Sequence, residues 1–171
     1  MKSFPPVLLI LVSLLIPQAN AQDYTKGFNA YLRGDFAFAQ RGFRPLAEQG
    51  NAVAAYRLGV MYNYGEGVSQ DYSQAFTWFH RAASLGYAPA QNRLGVRYER
   101  GQGVKRDYNE AVRWYRYSAQ QGYANAQYRL GRMYLLGRGV QRDFTEAVAW
   151  FKVASAQAVA DGRTRGSPSD F

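Results

Sequence analysis

The side chains of this 171-residue chain best suited to recognising a ligand are its 17 arginines, which with four lysines make 21 cations against 12 acidic residues, a formal charge of +9. Guanidinium groups bind carboxylates and phosphates through a planar fork of N–H donors, so a charged partner is expected to be acidic. The charge is uneven: from Arg93 to Arg142 there are eleven cations and three anions. Arg93, Arg97 and Arg100 are spaced four and three apart, which puts them on one face of a helix, and Arg129 with Arg132 forms a similar pair further on. These five residues are the expected basic patch.

Other chemistry is nearly absent. No cysteine occurs, which excludes disulfides, thiolate nucleophiles and Cys-ligated metals, and the single histidine, His80, removes most remaining metal sites. His80 lies between Phe79 and Arg81 at a place where related segments carry Arg116 and Lys152, so it is read as solvated. No nucleophile elbow, phosphate-binding glycine loop or His-Glu-x-x-His occurs. The expectation is a non-catalytic protein with no cofactor and no metal.

The elements that must position the arginines follow from a repeat. Asp35, Asp71, Asp107 and Asp143 recur every 36 residues, and the blocks starting at Asp71 and Asp107 agree at 18 of 36 positions. Periods of this size mark stacked helical hairpins. Each Asp suits an N-cap, with Gln74, Glu110 or Glu146 three residues on in the manner of a capping box. Gly50, Gly86 and Gly122 stand where a left-handed residue ends the helix. A second helix follows, around Val53 to Tyr64, Ala88 to Arg100 and Asn125 to Leu136, with Gly95 at a close approach to a neighbour. Between blocks lie Gly65-Glu66-Gly67-Val68, Gly101-Gln102-Gly103-Val104 and Gly137-Arg138-Gly139-Val140, expected to be ordered turns. Trp78, Trp114 and Trp150 share the period and are assigned to packing between units.

The units AAYRLGVMYNYGEGVSQDYSQAFTWFHRAASLG, AQNRLGVRYERGQGVKRDYNEAVRWYRYSAQQG and AQYRLGRMYLLGRGVQRDFTEAVAWFKVA resemble Sel-one-like repeats, a branch of the tetratricopeptide superfamily. The resemblance implies an all-α fold, a right-handed α-solenoid of about seven helices. The repeats fall at about 52–86, 88–122 and 124–158, after a degenerate leading hairpin at 23–50 with a short helix carrying Phe28, Tyr31 and Leu32. The fourth Asp-started helix would cap the array. The resemblance also implies a concave groove lined by the L-G-x-x-Y helices. Its partner-binding positions map to Tyr56, Val60, Asn63 and Tyr64, then Asn92, Val96, Glu99 and Arg100, then Tyr128, Arg132, Leu135 and Leu136.

At the N-terminus, Lys2, the apolar run Val7 to Ile16 and Ala19-Asn20-Ala21 form the pattern of a secretory signal peptide over residues 1–21, too short to span a bilayer. Cleavage would leave the solenoid at 22–161 and a polar tail at 162–171, expected to be disordered. The chain is therefore expected in the periplasm without a membrane anchor, away from nucleic acid, with release into the medium as the alternative. The function expected is an adaptor or regulator binding an envelope protein through the groove. Three other readings stand beside it: a binder of an anionic envelope polymer such as peptidoglycan or acidic polysaccharide, a secreted factor engaging a host protein, and a β-lactam-binding enzyme. The last follows from cysteine-rich members of the family, whose cysteine pairs this chain lacks. The oligomeric state does not follow from the sequence.

Overall fold

A computed structural model describes residues 21–162. The signal segment and the tail therefore lie outside the described residues, apart from their boundary positions 21 and 162. All regular structure in this range is α-helical: α1 over residues 21–32, α2 Phe36–Glu48, α3 Ala52–Tyr64, α4 Tyr72–Ser84, α5 Ala88–Arg100, α6 Tyr108–Gln120, α7 Ala124–Leu136 and α8 Phe144–Ala160. These eight helices match the expected all-α solenoid of about seven, with the leading segment forming the expected hairpin. Each helix packs mainly on its neighbours in the chain, giving a stacked array whose odd helices carry the L-G-x-x-Y segments.

The even helices start where an aspartate can cap them. The carboxylates of Asp71, Asp107 and Asp143 each accept two backbone N–H bonds, at 2.8 to 3.1 Å, from the residues two and three positions on. The reciprocal half of the capping box is absent. The backbone N–H of each Asp instead donates to the carbonyl of Tyr62, Tyr98 or Tyr134 on the preceding odd helix, at 2.9 to 3.0 Å. The cap thus ties each hairpin together as well as starting a helix. Glu110 turns to Arg113, 3.3 Å away.

The repeated glycine of the odd helices is a socket for an aromatic ring. A Cβ on Gly59, Gly95 or Gly131 would stand 2.5 to 2.7 Å from the ring of Phe79, Tyr115 or Phe151 on the next helix. The close neighbour expected at Gly95 is therefore a side chain. Gly27 in α1 receives Phe43 in the same way, with its added Cβ 3.1 Å from the ring, so the leading hairpin uses the packing of the later units despite its divergent sequence. Leu32 is exposed, and Tyr24, Phe28 and Tyr31 supply the inward face of α1. Trp78 and Trp114 are buried in the core.

The loop after each odd helix reaches back one unit. Gly67, Gly103 and Gly139, all at positive φ, lie against the first turns of α2, α4 and α6. In the first of these loops Glu66 accepts a 2.8 Å hydrogen bond from the Tyr31 hydroxyl. Burial, then this bond and the Glu66 charge, push the Tyr31 phenol from 10.0 up to about 12. Because the folded value lies above the unfolded one, the neutral phenol stabilises the fold fully below pH 10.0, and that share is lost as pH rises toward about 12. Denaturant midpoints measured across this window should fall, and should fall less steeply in Tyr31→Phe. An equal slope in the two proteins would show that Tyr31 does not set the alkaline limit.

Candidate functional site

The face formed by the odd helices is where the sequence places binding, and the stack sorts its residues by what covers them. Val60, Asn63, Asn92 and Val96 are buried, which corrects their expected place on an open groove: Val60 clusters with Ala75 and Phe79 of α4, Val96 with residues of α6 and α7, and Asn63 accepts from Arg97 of α5. Tyr56, Glu99 and Arg132 are half-buried. Tyr64, Arg100, Tyr128, Leu135 and Leu136 are exposed. Within this set Tyr64, Arg100 and Leu136 occupy the same position of three successive units, the last helical residue before the glycine turn, and form a ladder along the stack.

The basic patch is largely absorbed by packing. Arg57, Arg93 and Arg129, one per unit, each stitch their helix to the preceding odd helix. The Arg57 guanidinium lies 4.7 Å from the Phe28 ring centroid and 5.8 Å from that of Tyr31. Arg93 lies beside the Tyr56 hydroxyl with Tyr64 and Tyr123 close by. Arg129 faces Glu99 at 4.0 Å. Glu99 also accepts a 2.6 Å bond from the Tyr115 hydroxyl, and burial followed by the Glu99 charge raises that phenol well above its ordinary range. Pairing with Tyr115 and Arg129 explains how a carboxylate fits a half-buried position on a cationic protein.

Arg97 departs most from the surface role its spacing suggests. Only 3% of it is exposed, and its guanidinium donates to Asn63 Oδ1 and, at 3.0 Å, to Gln102 Oε1. It stands 5.2 Å from the ring centroid of Tyr72 and 5.6 Å from that of Phe79, while its Nε has no hydrogen-bond partner. Burial and then the neighbouring charge of Arg93 hold it below the usual arginine range. The equivalent positions are Met61 and Met133, both buried. That column of the repeat contained the signal, since an arginine replacing methionine at a buried helical position inherits the core environment.

The solvent-facing cations lie mostly off the odd-helix face. Lys105, Arg106, Arg138 and Arg142 are on the glycine loops, and Arg113 and Arg116 are on α6. Arg106 and Arg138 both lie 5.5 Å from the Tyr108 ring centroid. His80 is exposed, with Ser84 Oγ 3.5 Å from its Nδ1. Among the described residues no cluster of His, Asp and Glu could hold a metal ion, and no helix is long and apolar enough to cross a membrane.

The sequence profile of the Sel1 repeat matches residues 52–87, 88–123 and 124–159. The chain belongs to the Sel1 repeat family. These three Sel1 units are the hairpins α3–α4, α5–α6 and α7–α8. Proteins of this family generally mediate protein–protein interaction, on a fold that is typically non-catalytic. Among solved structures, c5321, a protective antigen present in uropathogenic Escherichia coli strains, is 40% identical over 85% of this chain and 33% of its own, with a TM-score of 0.78. A Sel1 repeat protein from Oxalobacter formigenes is 32% identical over 78% of this chain and 55% of its own, with a TM-score of 0.75. The cysteine rich protein B of Helicobacter pylori is 24% identical over 71% of this chain and 92% of its own, with a TM-score of 0.54, and shares the fold. The chain thus spans about a third and about half of the first two. Comparison with curated proteins gives no match.

Proposed function

We propose that this Sel1 repeat protein is exported, cleaved after Ala21, and works in the periplasm as a non-catalytic adaptor that binds an envelope protein through its odd-helix face. The observation that carries this reading is the Tyr64, Arg100 and Leu136 ladder. Three equivalent, solvent-facing positions hold an aromatic, a cation and an aliphatic residue on a scaffold whose sockets and caps repeat. Variation at exposed positions of a fixed frame suits recognition of an extended segment of a partner, and tyrosine and arginine are the types most often found at binding hot spots. Tyr128 and Leu135 enlarge the apolar part of the same face.

The test is affinity capture from envelope extract with the exported protein, beside a variant carrying Tyr64→Ser, Arg100→Glu and Leu136→Ser. These three side chains are exposed, so the variant should fold, whereas reversing Arg93 or Arg97 would break inter-unit contacts. A protein retained by the first bait and depleted at least ~10-fold on the second is the expected result, equivalent to a loss of about 1.4 kcal/mol. Capture that is equal with both baits would move the site off this face. Cell fractionation beside it reads location, and recovery in the culture medium alone would favour a secreted factor acting on a host protein.

One observation favours a second reading. The exposed cations of the glycine loops and of α6 lie apart from the ladder, where an anionic polymer would meet them together. Binding of that kind would weaken steeply with salt and ignore the ladder substitutions.

A further inference from the structure

The joints between successive odd helices hold their arginines in different ways. Between α5 and α7, Arg129 faces the Glu99 carboxylate, and the residue one turn on is the buried Met133. Between α1 and α3, Arg57 rests on the rings of Phe28 and Tyr31, and the residue one turn on is the buried Met61. The joint between α3 and α5 has two cations, Arg93 and Arg97, because an arginine stands where its neighbours have methionine. It also has no acid of its own: the position that holds Glu99 one unit later holds Asn63. Among the described residues no carboxylate lies within 4.0 Å of Arg93, Arg97 or Arg100.

The groups that surround Arg97 are all neutral apart from other arginines. Asn63 and Gln102 accept from it, Tyr72 and Phe79 turn their rings to it, and its buried Nε has no acceptor. A buried charge without an opposite charge is costly, and burial followed by the charges of Arg93 and, to a smaller extent, Arg100 weakens its hold on its proton. The joint meets solvent at its rim, where Arg93 is half-buried and Arg100 and Tyr64, the last residues of α5 and α3, are exposed. Arg93, Arg97 and Arg100 lie on successive turns of one helix face and span about 10 Å along it. Uncompensated positive charge backed by low-dielectric protein attracts an anion to the place where it reaches water.

We infer that the joint between α3 and α5 receives a carboxylate of the bound partner, an Asp or Glu side chain of an extended acidic segment, seated on Arg93 and Arg100 with Arg97 behind them. The partner supplies in trans what Glu99 supplies to Arg129 within the chain. Glu99 at the equivalent position favours a carboxylate over a phosphate, and the ring of Tyr64 with the aliphatic Leu136 on the same ladder favours a peptide over a sugar chain. The inference rests on the odd-helix reading above and adds the chemistry of the partner to it.

The test measures fluorescence anisotropy at ~0.15 M salt with the protein as an exporting cell processes it. The probes are a short, C-terminally amidated peptide of Glu, Leu and Ser, its counterpart with Gln for Glu, and a hyaluronate oligosaccharide. The Glu peptide should bind at least ~10-fold more tightly than the Gln peptide. Asn63→Glu places a carboxylate where the next unit has one, so it should weaken the Glu peptide at least ~10-fold and melt no lower than the unaltered protein. Should Asn63→Glu lose helix, Arg97→Met combined with Asn63→Leu takes its place and should weaken the same peptide by removing the charge behind the site. Equal affinity for the two peptides, or a Glu peptide that neither variant weakens, would overturn the inference. So would oligosaccharide binding that Asn63→Glu abolishes while the Glu peptide does not bind, because the joint would then belong to a sugar acid. Both variants keep Tyr64, Arg100 and Leu136. A partner captured equally by the unaltered and Asn63→Glu baits, yet lost by the ladder variant, would therefore overturn the carboxylate and leave the odd-helix reading standing.

Discussion

A protein carrying Gly103→Ala melts roughly 4–20 °C below the unaltered chain. Gly103 has φ 76° and lies against the first turn of α4, where an added Cβ would stand 2.0 Å from the Tyr72 carbonyl oxygen. Two costs combine. A side chain at positive φ costs roughly 1–2 kcal/mol, and forcing atoms into a packed contact costs roughly 1–3 kcal/mol more. For a chain of this length each kcal/mol moves the midpoint by roughly 2–4 °C. Gly86→Ala separates the terms. Gly86 has φ 86° with nothing within 4 Å of an added Cβ, so that variant bears only the backbone cost and should melt a few degrees low. Gly139→Ala, with its Cβ 2.2 Å from the Tyr108 carbonyl oxygen, should resemble Gly103→Ala. Equal losses at Gly86 and Gly103 in thermal melts would mean that the loop does not bear on the preceding unit.

Arg97→Met combined with Asn63→Leu raises stability by about 1–3 kcal/mol. Arg97 is a buried cation held by amides and aromatic faces, and one of its donors is unsatisfied. Replacing buried charged groups by apolar ones of similar volume is often neutral or stabilising by 1–4 kcal/mol. The equivalents of Arg97 in the neighbouring units are Met61 and Met133, both buried, so Arg97→Met borrows a residue from the same chain. Arg97→Met alone should gain less, because Asn63 would lose the group that donates to its Oδ1. Arg97→Ala should be less stable by about 3 kcal/mol through the cavity it leaves. Denaturant midpoints decide it: a double variant no more stable than Arg97→Ala would show that the guanidinium contributes net stability where it lies.

Much of the fold was legible because the repeat states its own rules. Aspartate at each even-helix start and Gly50, Gly86 and Gly122 at the ends of those helices are local signals, and they sit where expected. Gly27 with Phe43 was harder to read, since the leading hairpin keeps the socket but loses the surrounding pattern. The odd-helix face was legible only in part. Spacing within one helix predicts which residues share a side, but not how far the next helix slides over them, and so Val60, Asn63, Asn92 and Val96 are covered while Tyr64 and Arg100 stay open. Arg97 and Arg93 went the same way, their charge suggesting solvent while their neighbours in the stack enclosed them. The exposure of Val148 emerges only from comparing it with Val112, its buried equivalent one unit earlier.

The backward reach of the glycine loops has a consequence for how such molecules vary in length. Bonds between units span less than one period, as from Tyr31 to Glu66, Glu48 to Arg81 or Ala88 to Ser118, and substantial packing joins only consecutive helices. A duplicated or deleted 36-residue block therefore carries its own joints with it, and the seam it leaves has the same loop and socket geometry as the others. Copy number becomes nearly independent of the stability of each joint, and the two ends alone must be solved afresh. Heat or mechanical pull would likewise work inward from those ends, peeling whole hairpins while the middle of the stack holds.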